Sequence, residues 1–449
     1  VYRIINWDGD SETRFGSVIS SSLLEKVIAQ YGEEGVDLLA TRLKFADLTG
    51  LEDDATSFGL ALDRIFDDID PDSELGQAIS LLIQLTPDQF AYEMSQIAGQ
   101  QIADVQHVTL SQLGSLIHVI QTQINEARTN LTSNAGADGV KVSFGSDKLR
   151  VSSDGEMPDL SGVSAGDETV KGDWSVWARV FGDWSKLDGS GTAQGFTSNT
   201  GGAVIGADYA ISDALTLGLA GGYQASNLEF GTGGQGDIDG WSVTAYSDYR
   251  FGNAYIDALV GYAAQSYDMD RYLTVLGVNY IANSTYDGTS IIGAVEAGYT
   301  FTVAPATTLT PFVGVNGNQT KTDASVETGA GIWNLAYDDR SETQIDSVLG
   351  ARISKSFTRS DGLAITPTFE LGWKHGFGNA APTANASLAG TPGTQFQIFG
   401  SPTSRDTAIV GAAVQVQMSE KIDLYVQYNG QYSSDYADNT ASLRMRWKF

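Results

Sequence analysis

Ala441-Ser442-Leu443-Arg444-Met445-Arg446-Trp447-Lys448-Phe449 alternates without a break. Leu443, Met445, Trp447 and Phe449 are apolar, while Ser442, Arg444, Arg446 and Lys448 are polar or charged. A period of two puts these sets on opposite faces of a strand. In a soluble sandwich the apolar face would meet a core and the charged face water. In a membrane barrel the apolar face meets lipid and the charged face a polar lumen. Upstream segments repeat the pattern: Ile256, Ala258, Val260 and Tyr262 alternate with Asp257, Leu259 and Gly261, and Leu424, Val426 and Tyr428 with Tyr425 and Gln427.

Counted outward from that stretch, strands are expected near 174–187, 200–212, 214–230, 237–251, 254–274, 285–303, 307–326, 335–358, 363–378, 395–418, 421–434 and 439–449. An even number places both barrel ends on the periplasmic side. Ser212-Asp213-Ala214, Phe251-Gly252-Asn253 and Ser419-Glu420-Lys421 read as short periplasmic turns. The stretches 188–199, 231–236 and 379–394 read as extracellular loops. Trp174, Trp177, Trp184, Trp241, Trp373 and Trp447 all fall on predicted strands, as interfacial girdles require.

Composition narrows the class. The chain has 449 residues, a formal charge of −29, 51 glycines, 9 prolines and no cysteine. Such acidity offers no basic stripe to neutralise phosphates, which argues against nucleic acid as a partner. Without cysteine there is neither a disulfide framework nor a thiolate zinc site. No run reaches the ~20 apolar residues of a membrane helix, but barrel strands hide their lipid-facing residues at alternate positions. Val1-Tyr2-Arg3-Ile4-Ile5 carries no export leader, so a signal and further chain are expected upstream.

Several motifs resemble the translocator domain of autotransporters, the type V secretion proteins. They are Trp177-Ala178-Arg179-Val180-Phe181-Gly182, Gly201-Gly202-Ala203-Val204-Ile205-Gly206-Ala207-Asp208-Tyr209, Gly218-Leu219-Ala220-Gly221-Gly222-Tyr223 and Gly372-Trp373-Lys374-His375-Gly376-Phe377. In the last, Lys374 and Gly376 stand where the family carries Arg and an acid, which leaves any luminal ion pair of that acid without support. The resemblance implies a 12-stranded antiparallel transmembrane β-barrel over 173–449. It also implies that Leu443, Met445, Trp447 and Phe449 form a signal read by the barrel-assembly machinery.

The N-terminal third reads differently. Val1–Trp7, Phe15–Ile19 and Gly35–Ala40 are short β-prone runs, and 1–43 resembles the last rungs of a passenger β-helix. Over 44–130 the period becomes helical. Val105, Val108, Leu113, Leu116, Ile117, Val119, Ile120 and Ile124 form one stripe, and Thr86-Pro87 opens a helix as cap and first residue. Leu85 through Gln100 resembles the family's helical linker between passenger and barrel. Residues 131–172 are a polar Gly/Ser/Asp-rich spacer. A passenger outside and a first strand starting inside require part of 100–173 to occupy the pore. The predicted helix 104–129 would span ~37 Å, enough for the hydrocarbon core. Its apolar stripe speaks against a polar lumen, so the spacer is a rival plug. Asp138, Asp147, Asp154, Glu156, Asp159, Asp167 and Glu168 could there pair with luminal Arg179, Arg444, Arg446 and Lys448.

Catalytic constellations are weak. Gly9-Asp10-Ser11 is followed by Glu12, where the esterase motif found in some passengers needs Leu, and reads as a turn. His107 and His118 are eleven residues apart, not the i, i+4 of a metal pair. His375 would serve a barrel protease only near the extracellular rim; a girdle or luminal hydrogen-bonding role reads better. Asn125, Asn130 and Asn134 are isolated, so self-cleavage between paired asparagines is not indicated. The expectation is a non-enzymatic, monomeric outer-membrane translocator without cofactor or metal, set in outer-membrane lipid and exporting and anchoring its own passenger. The alternative is a porin-like channel for small solutes.

Overall fold

A computed structural model describes residues 2–6, 14–15, 17–20, 22–32, 35–48, 50–133, 173–190, 193–231, 233–360, 363–378, 381–419 and 421–448. The first strands, β1 (Tyr2–Asn6), β2 (Glu25–Gly32) and β3 (Gly35–Arg42), make a small sheet in the order β1-β3-β2. The pairing is antiparallel, a β2–β3 hairpin with β1 added, in place of stacked rungs. The strand expected at 15–19 is absent: the described residues there form no regular structure, and the strand lies at Glu25–Gly32.

Helices follow: α1 (Asp53–Ile65), α2 (Glu74–Leu82), α3 (Pro87–Ala98) and α4 (Gln101–Ser133). Thr86 and Gln89 cap α3 reciprocally, with Pro87 in the first turn where its missing N–H costs nothing. Gly99, at φ 71°, makes the left-handed break between α3 and α4. The 33-residue α4 is longer than the predicted helix and runs ~50 Å at 1.5 Å per residue. It takes in the first residues of the expected spacer; the acids at 138–168 lie outside the described residues.

The alternating segments become β4 (Asp173–Ser190), β5 (Ala193–Ala210), β6 (Leu215–Phe230), β7 (Gly234–Phe251), β8 (Ala254–Val275) and β9 (Val278–Tyr299). After the short β10 (Phe301–Ala304) comes β11 (Thr307–Thr322). Two short strands follow, β12 (Ser325–Val326) and β13 (Leu335–Tyr337), then β14 (Arg340–Lys355), β15 (Phe357–Thr358) and β16 (Ala364–Gly376). The last are β17 (Thr383–Leu388), β18 (Phe396–Phe399), β19 (Asp406–Gln417), β20 (Ile422–Tyr432) and β21 (Tyr436–Lys448). Twelve of these, β4–β9, β11, β14, β16 and β19–β21, pair antiparallel with their neighbours, and β21 pairs with β4 to close the barrel.

The outer face carries two aromatic belts. Trp184, Tyr223, Trp241, Tyr262 and Trp373 mark the long-loop side; Trp174, Tyr249, Phe251, Tyr299 and Trp447 mark the short-turn side. On β4 the belts are ten residues apart (Trp174 to Trp184), ~33 Å along a strand and ~25 Å when tilted, the height of an outer-membrane apolar band. With 22 residues each, β8 and β9 outrun the ~9–11 residues that a membrane strand needs and continue beyond it.

Four expectations on the long-loop side need correction. Residues 379–394, read as loop, contain β17. The runs 335–358 and 395–418 are not single wall strands: β13 and β18 leave the wall and pair with β12 and β17 in a separate four-stranded sheet, β12-β13-β17-β18. The stretch 188–199 is mostly strand, the ends of β4 and β5. The predicted linker helices are folded as well. Phe58, Leu62, Leu82, Phe90 and Met94 of α1–α3 share one apolar core with Leu335, Leu388 and Ile398 of this sheet and with Leu228, Met269 and Leu273 of the wall. Helices and sheet together cap the long-loop mouth.

Candidate functional site

The candidate site is the lumen, and α4 stands in it. On one side its Leu113, Leu116, Ile117, Ile120 and Ile124 pack on Trp177, Phe181, Val204, Tyr246, Leu259 and Ile292 of β4–β9. This settles the objection raised by the apolar stripe, because that side of the lumen is apolar too. Glycines thin the wall beneath its aromatics. Gly206 pairs with Trp177 across β4 and β5, and a Cβ there would sit 2.6 Å from the indole.

Polar side chains fix the register of α4 along the barrel axis. Glu126, 3% exposed, forms ion pairs with Arg179 (2.6 Å) and Arg444 (2.7 Å), and Arg444 also pairs with Asp423. One turn earlier Gln123 accepts from Arg444 (3.0 Å) and donates to Asp208 (3.0 Å). Asp208 also accepts from Ser175 (2.9 Å), pairs with Arg446 (3.1 Å) and accepts from Tyr246, whose hydroxyl in turn accepts from Trp177 Nε1–H (2.8 Å). Nearer the short-turn end Arg128 pairs with Asp248 (3.2 Å) and Asp257, its guanidinium 3.1 Å from the centroid of the Tyr255 ring. Higher up, Ser115 donates to Asp183 (2.9 Å) and Ser111 to Asp438 (2.7 Å).

At the capped mouth, Asp104 of α4 accepts from the backbone N–H (2.5 Å) and hydroxyl (2.9 Å) of Ser401. Asp54 of α1 accepts from Phe399 N–H (2.6 Å), and burial pushes its carboxyl up to about 7. Arg271 of β8 is buried and ties cap to wall. It pairs with Glu327 (2.6 Å) and donates to the backbone oxygens of Gln96 (3.1 Å) at the end of α3 and of Trp333 (3.0 Å).

The residues singled out in the sequence fall as follows. Arg179, Arg444 and Arg446 are buried on the luminal face, and Lys448 is half-buried at the barrel end. Leu443, Met445 and Trp447 are about half exposed on the outer face; Phe449 lies outside the described residues. His375 bonds Asp406 (2.8 Å) at the long-loop rim, flanked by the exposed Trp373 and Phe377 on the barrel's outside rather than in the lumen. Reasoning from sequence missed Glu126 and Arg128. The available signal was their isolation as the only Asp, Glu, Lys or Arg between Val105 and Ser133.

The chain is similar to several known proteins. The chain is 27% identical over 333 residues to an extracellular serine protease of Serratia marcescens, covering 73% of this chain and 31% of that protein. It is 26% identical over 335 residues to outer membrane protein A of Rickettsia conorii, covering 72% of this chain and 16% of that protein. The chain thus spans a third or less of these relatives' lengths. Among solved structures, the translocator domain of autotransporter NalP from Neisseria meningitidis superposes with a TM-score of 0.51 at 16% identity, over 62% of this chain and 89% of that one. The family model for autotransporter β-domains matches residues 176–429. That match, together with the closed twelve-stranded wall, makes the chain a member of the autotransporter β-domain family, whose barrels are outer-membrane translocators.

Proposed function

We propose that this barrel brings the chain's own N-terminal part to the cell surface through its lumen and holds it there by α4, which stays behind. One observation carries the reading. α4 threads the lumen from the capped mouth to the short-turn end, the end at which β4 begins and β21 finishes. The cap, 1–100 with the sheet of β12, β13, β17 and β18, then stands on the cell surface, and 1–43 is the end of the passenger. A lumen filled by α4 does not suit a channel for solutes.

An epitope placed ahead of Tyr2 tests the export step. Antibody should bind it on intact cells; staining only after permeabilisation contradicts the proposal. In the same reading the barrel is a monomer in outer-membrane lipid, and Leu443, Met445, Trp447 and Phe449 are the signal for the assembly machinery. Deleting Phe449 should lower the amount of barrel in the outer membrane while leaving the unfolding temperature of the assembled fraction unchanged. Equal outer-membrane levels of both forms contradict that role.

A further inference from the structure

Buried carboxylates on the luminal face of the wall have arginine partners. Among the described residues this holds for Asp208, Asp248, Asp257, Glu296 and Asp423. Two depart from it. Asp183 of β4 and Asp438 of β21 are 2% and 3% exposed, and neither forms an ion pair with a lysine or arginine among the described residues. They sit at the seam that closes the barrel, where Thr440 faces Asp183 and Ser185 faces Asp438. Their carboxyl groups lie within hydrogen-bonding reach of each other. Two like charges buried together are costly, and buried charges are as a rule paired or bound to a metal ion.

Hydroxyl donors surround this pair without neutralising it. Asp183 accepts on Oδ2 from Ser115 (2.9 Å) and Thr440 (2.8 Å), and Asp438 accepts on Oδ2 from Ser111 (2.7 Å) and Tyr436 (2.9 Å). Such bonds favour the ionised carboxylate. Ser185 gives an independent sign. Its side chain is on the luminal face, 4% exposed, opposite Asp438 and two residues along the strand from Asp183. Its Oγ has no hydrogen-bond partner among the described residues. Ser198, next across the sheet from Ser185, is in the same state, and so is Oδ1 of Asp438. Three buried oxygens without partners thus adjoin two carboxylates without a counter-charge.

We propose that a calcium ion binds at this seam, held by the carboxylates of Asp183 and Asp438 and the hydroxyls of Ser185 and Ser198. The set is all oxygen, as a hard cation requires, and the two charges of the ion cancel those of the carboxylates. Calcium suits it better than magnesium, because ligands drawn from three strands need not be octahedral. Asp438 also borders a cavity of about 160 Å³, which leaves room for water to complete the coordination. The ion clasps the last strand to the first and, through Ser111 and Ser115, fastens α4 to both. The site goes beyond export and does not depend on the direction in which the passenger moved.

The test is a titration of the full chain, purified in detergent and stripped with EDTA, with terbium. Terbium occupies calcium sites and luminesces when a nearby tyrosine is excited; here Tyr436, bonded to Asp438, is the donor. Wild type should give a saturable signal that calcium displaces. Asp438→Asn should abolish it. Ser185→Ala, which leaves both carboxylates in place, should weaken binding several-fold. Asp268→Asn, facing Asp237 on the exposed side of the wall, should change nothing. Calcium should also raise, by several degrees, the temperature at which α4 becomes cleavable in wild type, and should leave that of Asp438→Asn unmoved. If Asp438→Asn does not assemble, Ser185→Ala and the calcium response of wild type decide. No saturable binding in wild type would overturn the proposal and mean that the pair shares a proton. Binding as strong in Ser185→Ala as in wild type would overturn it too, since the ion would then sit elsewhere.

Discussion

Glu126 brings a single carboxylate between two arginines of the wall, and its burial decides what removing it costs. A buried ion pair contributes little net stability compared with an apolar pair of the same shape, but removing one partner strands the other. Glu126→Ala leaves Arg179 without its carboxylate, at a cost of roughly 3–5 kcal/mol. The expected outcome is a marked drop in the temperature at which α4 becomes cleavable by added protease in purified barrels. An unchanged temperature would mean that the ion pairs do not hold the helix. The wall side of this network was legible in the sequence, because alternation alone sends Arg179, Arg444 and Arg446 inward. Its helix side was not. Periodicity orders residues within an element, but which helix residue meets which wall residue is set by axial register between elements distant in the chain.

At the scale of elements, α1 is docked on β18 and the loop that precedes it through hydrogen bonds to backbone. Ser57 accepts from Gln397 N–H (2.8 Å) beside the bond from Phe399 to Asp54, and Arg64 donates to Gly393 O (3.3 Å). Asp54 lies in the cap, outside the membrane-spanning strands. Its folded pKa, about 7, stands above the unfolded value near 3.8, chiefly through desolvation. The folded state therefore binds more protons between these values. Docking is strongest below the unfolded pKa, weakens as pH rises towards about 7, and levels off above it. Asp54→Asn keeps an acceptor for Phe399 and removes the titration. Protease nicking of α1 should increase between pH 5 and pH 8 in wild type and stay level in the variant; equal pH dependence in both would contradict the assignment.

Element types were readable where elements are long. Twelve wall strands follow from alternation over ten residues or more, and α3 announces its start by Thr86-Pro87. The cap sheet was hidden because β12 and β13 have two and three residues, too few to establish a period. What holds them is the pairing of β13 with β17 and a core shared with α1–α3, neither of which is local in sequence. The same limit explains the strand expected at 15–19. A short apolar run satisfied the pattern, but the hairpin partner of β3 came from Glu25–Gly32.

For the whole molecule, the sequence posed a conflict between an apolar helix and a polar lumen. The structure resolves it by an uneven lumen: apolar on the β4–β9 side where α4 leans, polar on the far side, where Lys374 and Gln431 line a cavity. Buried apolar contact keeps the helix in place, ion pairs near its C-terminal end set its register, and the cap covers the mouth above. The central claim is that the N-terminal part has left through the lumen while α4 remains in it. Proteinase K added to intact cells carrying an epitope ahead of Tyr2, followed by mass mapping of the membrane fraction, tests it most directly. The account predicts that the epitope is lost and that a protected fragment retains α4 (Gln101–Ser133) joined to the barrel. Cleavage spread along α4 from outside, or an epitope that survives on intact cells yet is lost after permeabilisation, would contradict it.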